Sequence, residues 1–157
     1  MNVLVQELLR GIPDGTEAAR VLIRLVAALV AGAVVGVQRE RSEKPAGLRT
    51  HILVALGSTL FVLAAAQTGM ASAGLSRIIQ GIATGIGFLG AGVILKLTEE
   101  HKIKGLTTAA DIWTTAAIGV AIGLGAIGIG LIGAGLAWVV LGVMHRWGNP
   151  RKPKGMP

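Results

Sequence analysis

From about Leu106 to Met144 the chain is one continuous apolar stretch. As a single helix it would reach about 60 Å, twice the roughly 30 Å hydrocarbon core of a bilayer. It must therefore fold back on itself. Gly123-Leu124-Gly125-Ala126-Ile127-Gly128 is the place for the turn, because glycine adopts positive φ without steric penalty. Three further apolar spans precede it, about Arg20 to Val37, Thr50 to Gln67 and Ile78 to Leu95. Each is close to the roughly 20 residues that a membrane helix needs. The composition agrees: 15% of the residues are charged, against about 25% in soluble domains, and the mean hydropathy is +0.69. The expected fold is an all-α membrane bundle of five helices, at about 20–38, 48–68, 77–96, 107–123 and 126–145.

Charge decides between four spans and five. The link after the first span carries Arg39, Arg41, Lys44 and Arg49, the link after the third Lys96, Lys102 and Lys104, and the tail Arg146, Arg151, Lys152 and Lys154. Five spans put all of these on one side, eleven of the 15 Lys and Arg residues. The positive-inside rule then predicts an outside amino terminus and a cytoplasmic carboxyl terminus. The net charge of +7 accordingly reads as topology signal and anionic-lipid contact, not as a nucleic-acid surface. Residues 1–19 are expected to form an extracytoplasmic segment, with a short interfacial helix at Asn2 to Leu9, a turn at Pro13-Asp14-Gly15 and Thr16 as helix cap. Residues 20–145 form the transmembrane domain, and 146–157 a basic, disordered cytoplasmic tail. The opening residues are too polar for a cleavable signal peptide.

Within the spans, glycine pairs at small-xxx-small spacing stand out: Gly32 and Gly36, Gly81 and Gly85, Gly119 and Gly123. Such pairs let helix backbones approach closely, within one bundle or between copies. Trp113, Trp138 and Trp147 suit interfacial anchors. Intramembrane polar residues fall on two helical faces, Arg77, Gln80 and Thr84 on one, Thr107, Asp111 and Thr115 on the other. Asp111 would lie about one turn inside the cytoplasmic end of the fourth span. An ionisable group there is either functional or paired, and Arg39, Arg41 and Arg49 are predicted on the same side. Glu40 lies at that mouth too, and two such carboxylates suit a hydrated Mg²⁺, which keeps several of its waters. Arg24, inside the first span, reads as snorkelling to headgroups.

Catalysis finds no support in these residues. There is no cysteine for a nucleophile or thiolate site. His51 and Ser58 share a helix face with Cα atoms about 10 Å apart, too far for a nucleophile and its base. His101 and His145 lie near span ends, and no phosphate-binding loop or metalloprotease motif occurs. No cofactor is called for, and no enzyme is expected.

Gly36-Val37-Gln38-Arg39-Glu40-Arg41, Lys44-Pro45-Ala46-Gly47-Leu48-Arg49-Thr50-His51 and Leu53-Val54-Ala55-Leu56-Gly57 resemble the first signature of the MgtC/SapB family. Arg77, Gln80-Gly81-Ile82, Gly85-Ile86-Gly87-Phe88-Leu89-Gly90-Ala91-Gly92 and Gly105-Leu106-Thr107-Thr108-Ala109-Ala110 resemble its second and third. The resemblance covers roughly Arg24 to Gly142. It implies a bacterial inner-membrane protein of magnesium homeostasis, with Mg²⁺ as ligand or transported substrate. For the virulence-associated members it also implies inhibition of the F-type ATP synthase. Gln38 stands where the family usually carries Glu, and the chain ends soon after the fifth span, as in the short SapB-like form without a carboxyl-terminal cytoplasmic domain.

Two functions follow. In a transporter, Asp111 and Glu40 would draw a cation along Gln80, Thr84, Thr107 and Thr115. In a regulator, Arg39, Glu40, Arg41 and Arg49 would form a charge lock, and glycine-lined faces would bind another membrane protein, such as an ATP synthase or cation pump. A homodimer is expected from the family and the glycine pairs. Transport requires a hydrated polar path; regulation requires those faces to be buried and an exposed small-residue groove to face lipid.

Overall fold

A computed structural model describes residues 14–69, 72–95 and 105–147. The expected amino-terminal helix, the basic link that includes His101 and the tail beyond residue 147 lie outside the described residues, as do the side chains of residues 144–147. Five helices make up the described chain: α1 (Gly15–Arg41), α2 (Leu48–Gln67), α3 (Ser72–Leu95), α4 (Leu106–Gly123) and α5 (Ile127–Trp147). The first four are long and apolar enough to cross a membrane, and α5 contributes the shorter apolar run Ile127–Val143.

Sequence-adjacent helices run antiparallel. Gly36 of α1 faces Leu48 at the start of α2, and Gly32 faces His51 and Ile52. Gly90 of α3 faces Ala109 of α4, while Gly130 and Gly133 of α5 face Ile118. α4 lies at the centre and touches all four other helices; α3 is peripheral, packed on α4 and more lightly on α2. Large apolar side chains point outward, among them Leu22, Ile23, Phe61, Phe88 and Ile132. The interior is built from small ones, with Ala28, Ala31 and Ala55 fully buried beside Val35 and Ile122. This arrangement suits a bilayer, where lipid gives no drive to bury leucine and close backbone packing holds helices together.

The α4 to α5 turn shows why the long apolar stretch folds where it does. The Gly125 N–H donates to Ile122 O (2.9 Å) and the Ala126 N–H to Ala121 O (3.0 Å), the paired bonds of a Schellman cap. This cap needs a left-handed residue, and Gly125 supplies it with φ +90°. α1 ends in the same way, through Glu43 N–H to Glu40 O and Lys44 N–H to Arg39 O. Here the left-handed position falls to a non-glycine residue, Glu43, at φ +52°.

α1 extends further than the expected 20–38, from Gly15 through Arg41. Arg39, Glu40 and Arg41 are consequently the last helical turn and not a loop. Their directions are set by helical period: Ala28, Gly32, Val35 and Arg39 continue one buried stripe, whereas Glu40 and Arg41 rotate out to the surface.

Candidate functional site

The buried stripe of α1 meets two others at one end of the bundle. On α2 the stripe comprises His51, Ala55, Ser58, Thr59 and Val62; on α4 it comprises Thr108, Asp111, Ile112, Thr115 and Gly119. These stripes approach closely because glycine faces backbone at each crossing. A Cβ on Gly32 would sit 2.7 Å from His51 O, one on Gly36 2.7 Å from Leu48 Cα, and one on Gly119 would strike Ala55 O. The three approaches bring the first turns of α2 and α4 against the last turn of α1.

Asp111 occupies the junction, 5% exposed. Its Oδ2 lies 3.2 Å from Arg39 Nε and 3.0 Å from His51 Nε2. Arg39 is 4% exposed and His51 fully buried. The Arg39 Nε hydrogen is not aimed at the carboxylate, so that contact is a charge pair without a directed hydrogen bond. The terminal Arg39 Nη2 donates to the Thr108 hydroxyl. Thr115 donates to the Asp111 carbonyl (2.9 Å), and Thr59 to the Gly119 carbonyl (2.8 Å).

Hydrogen-bond chemistry restricts the cluster's charge. The Gly47 carbonyl, 2.8 Å from His51 Nδ1, can only accept, so Nδ1 carries a hydrogen. His51 Nε2 and the Asp111 carboxyl then share one proton across 3.0 Å. The His–Asp pair is neutral whichever atom holds that proton. Arg39, always protonated, leaves the whole cluster with a single positive charge.

The other candidate residues separate. Glu40 accepts the Leu48 backbone N–H (2.9 Å) and thereby caps the first turn of α2, away from the cations around Asp111. Among the described residues no three His, Asp or Glu side chains converge as a metal site. Arg41 and Arg49 are exposed and pair with no carboxylate among the described residues. Thr107 is exposed; its neighbour Thr108 takes the buried position instead. Gln80 and Thr84 share the exposed surface of α3, with Thr84 donating to the Gln80 carbonyl. Gly32, Gly36, Gly119 and Gly123 pack against other helices, whereas Gly81 and Gly85 have open space where a Cβ would stand.

Thr108 is the residue that sequence reasoning misses, because the i, i+4, i+8 alignment favours Thr107. The available signal is period: 108, 111, 115, 119 combines one step of three with two of four and tracks a 3.6-residue helix better than steps of four alone. The sequence puts His51 at the start of the second span, where it can meet the cytoplasmic end of the fourth, but does not single it out as a partner of Asp111. Arg24 also differs from expectation. It turns inward and donates to Gly123 O (2.9 Å), the last α4 carbonyl and one that the Schellman bonds leave free.

These helices define a multi-pass helical membrane protein with a buried charge cluster at one end of its bundle. A family match runs over residues 25–149, and the chain belongs to the MgtC family. It is 49% identical over 113 residues to Protein SrpB of Synechococcus elongatus, covering 65% of this chain and 62% of SrpB. It is 44% identical over 136 residues to the "Putative magnesium transporter YhiD" of Escherichia coli, covering 82% of this chain and 62% of YhiD. With Protein MgtC of Salmonella typhimurium the identity is 46% over 104 residues, 66% of this chain and 43% of MgtC. The chain thus spans less than two thirds of the length of these relatives. No solved structure matches it.

Proposed function

We propose that the chain is a bacterial inner-membrane protein of magnesium homeostasis that works as a non-conducting regulatory module, acting on another membrane complex. Family membership and the magnesium named in YhiD support the magnesium connection. The distribution of Lys and Arg supports a cytoplasmic position for the charge cluster.

One observation carries the choice of regulation over transport. Asp111 is the only buried carboxylate among the described residues, and Arg39 and His51 occupy it. A Mg²⁺ path needs oxygen ligands and retained water. The cluster instead presents one net positive charge, and Thr108, Asp111 and Thr115 are 0 to 5% exposed. A divalent cation approaching there is repelled.

Reconstitution tests the reading. Purified protein in liposomes loaded with a Mg²⁺ indicator is expected to admit Mg²⁺ no faster than protein-free vesicles, with Asp111→Asn unchanged. The same wild-type gene should restore growth under Mg²⁺ limitation to a host lacking its own relative. Mg²⁺ entry above the vesicle background that Asp111→Asn abolishes would overturn the proposal.

A further inference from the structure

The peripheral helix α3 carries one charged residue, Arg77. Arg77 lies about one and a half turns inside α3, on its exposed side, and pairs with no carboxylate among the described residues. A guanidinium at the edge of an apolar span is best placed where an anion or water meets it. Arg77 forms one end of a groove of about 850 Å³ between α2 and α3, and Arg49 forms the other. The floor is apolar, with Phe61, Leu53, Ile82 and Leu89 around the bare backbones of Gly57, Gly81 and Gly85. From Arg77 to Leu89 the groove runs about 18 Å along the helix.

We infer that this groove is a binding site for an anionic phospholipid, whose phosphate meets Arg77 and one of whose acyl chains lies over Gly81 and Gly85. Charge complementarity selects this occupant. α2 and α3 contain no Asp or Glu, so the face presents two cations and no anion. A second copy docking through the same face would bring Arg77 against like charge. Lipid headgroups are the anions that a membrane supplies. Length agrees, because a chain from one leaflet spans about 15 Å, half of the hydrocarbon core, and fits the groove. The inference is independent of the choice between regulation and transport.

Native mass spectrometry of the full chain, released from detergent after incubation with phosphatidylglycerol or phosphatidylcholine, tests it. Phosphatidylglycerol should remain bound in preference to phosphatidylcholine. Arg77→Gln should weaken its retention about fivefold, the effect of one basic contact to an anionic headgroup. Gly85→Leu projects into the groove from a position where the Cβ itself meets nothing, since no atom lies within 4 Å of it. It should reduce retention with Arg77 intact and leave the melting temperature unchanged, which separates lost binding from lost folding. Equal retention of the two lipids, retention unaffected by both substitutions, or a dimer peak replacing the lipid adduct would each overturn the inference.

Discussion

The Asp111 carboxylate stands 3.2 Å from the Arg39 guanidinium, joining the second turn of α4 to the last turn of α1 across an interior that admits almost no solvent. His51 completes the junction from α2, so three helices meet at one acidic side chain. Removing that side chain strands two basic groups. Asp111→Asn is expected to destabilise the bundle by about 3–5 kcal/mol, the cost of breaking a buried ion pair from one side. Replacing the cluster together, with Arg39→Met, His51→Leu and Asp111→Leu, should recover most of that loss. Thermal unfolding in detergent measures both. A triple variant no more stable than Asp111→Asn would show that charge pairing is not what joins these helices.

The glycine pairs divide into two classes that mutation should separate. Gly36→Leu and Gly119→Leu drive a side chain into the backbone of α2 and are expected to prevent folding or lower the melting temperature sharply. Gly81→Leu meets open space and should fold like the wild type. Size-exclusion profiles of the purified variants read the difference directly.

Arg24 tests whether an intramembrane cation serves as a helix cap. Arg24→Leu removes the donor to Gly123 O and leaves the last carbonyl of α4 without it. A hydrogen bond with a charged donor contributes about 1.5–3 kcal/mol. The variant should lose stability in that range, with amide exchange accelerating first around residues 121–126. A snorkelling arginine would produce no such local change.

Glu43 holds a backbone conformation that an L side chain disfavours, at φ +52°. Glu43→Gly should therefore stabilise the protein by about 1 kcal/mol, by relieving the left-handed penalty at the end of α1. Equilibrium unfolding would detect this as a higher midpoint with an unchanged slope.

Glu40 distinguishes a cap from a metal ligand. Glu40→Gln keeps an oxygen for the Leu48 N–H and should preserve stability and growth under Mg²⁺ limitation, while Glu40→Ala should cost about 1 kcal/mol. Loss of growth with Glu40→Gln at unchanged stability would instead point to a role for the charge.

Hydrophobic length by itself determines most of the architecture. A stretch from Leu106 to Met144 is too long for one crossing, and Gly125 is the residue that lets it reverse. The shared side of Asp111 and Arg39 was legible as well, because basic links and helix count assign both residues to one end of the bundle. Tertiary structure alone decided which partner Asp111 takes. Arg39 continues the buried stripe of α1, whereas Arg41 turns outward and Arg49 projects from the exposed side of α2. Likewise, small-xxx-small spacing marks Gly36 and Gly81 equally, yet only Gly36 has a helix against it. Sequence spacing specifies which residues share a face of one helix. Which face meets a neighbour depends on how all five helices are rotated together, and that rotation here closes over His51 and Asp111 while leaving Gly81 and Gly85 of α3 in the open.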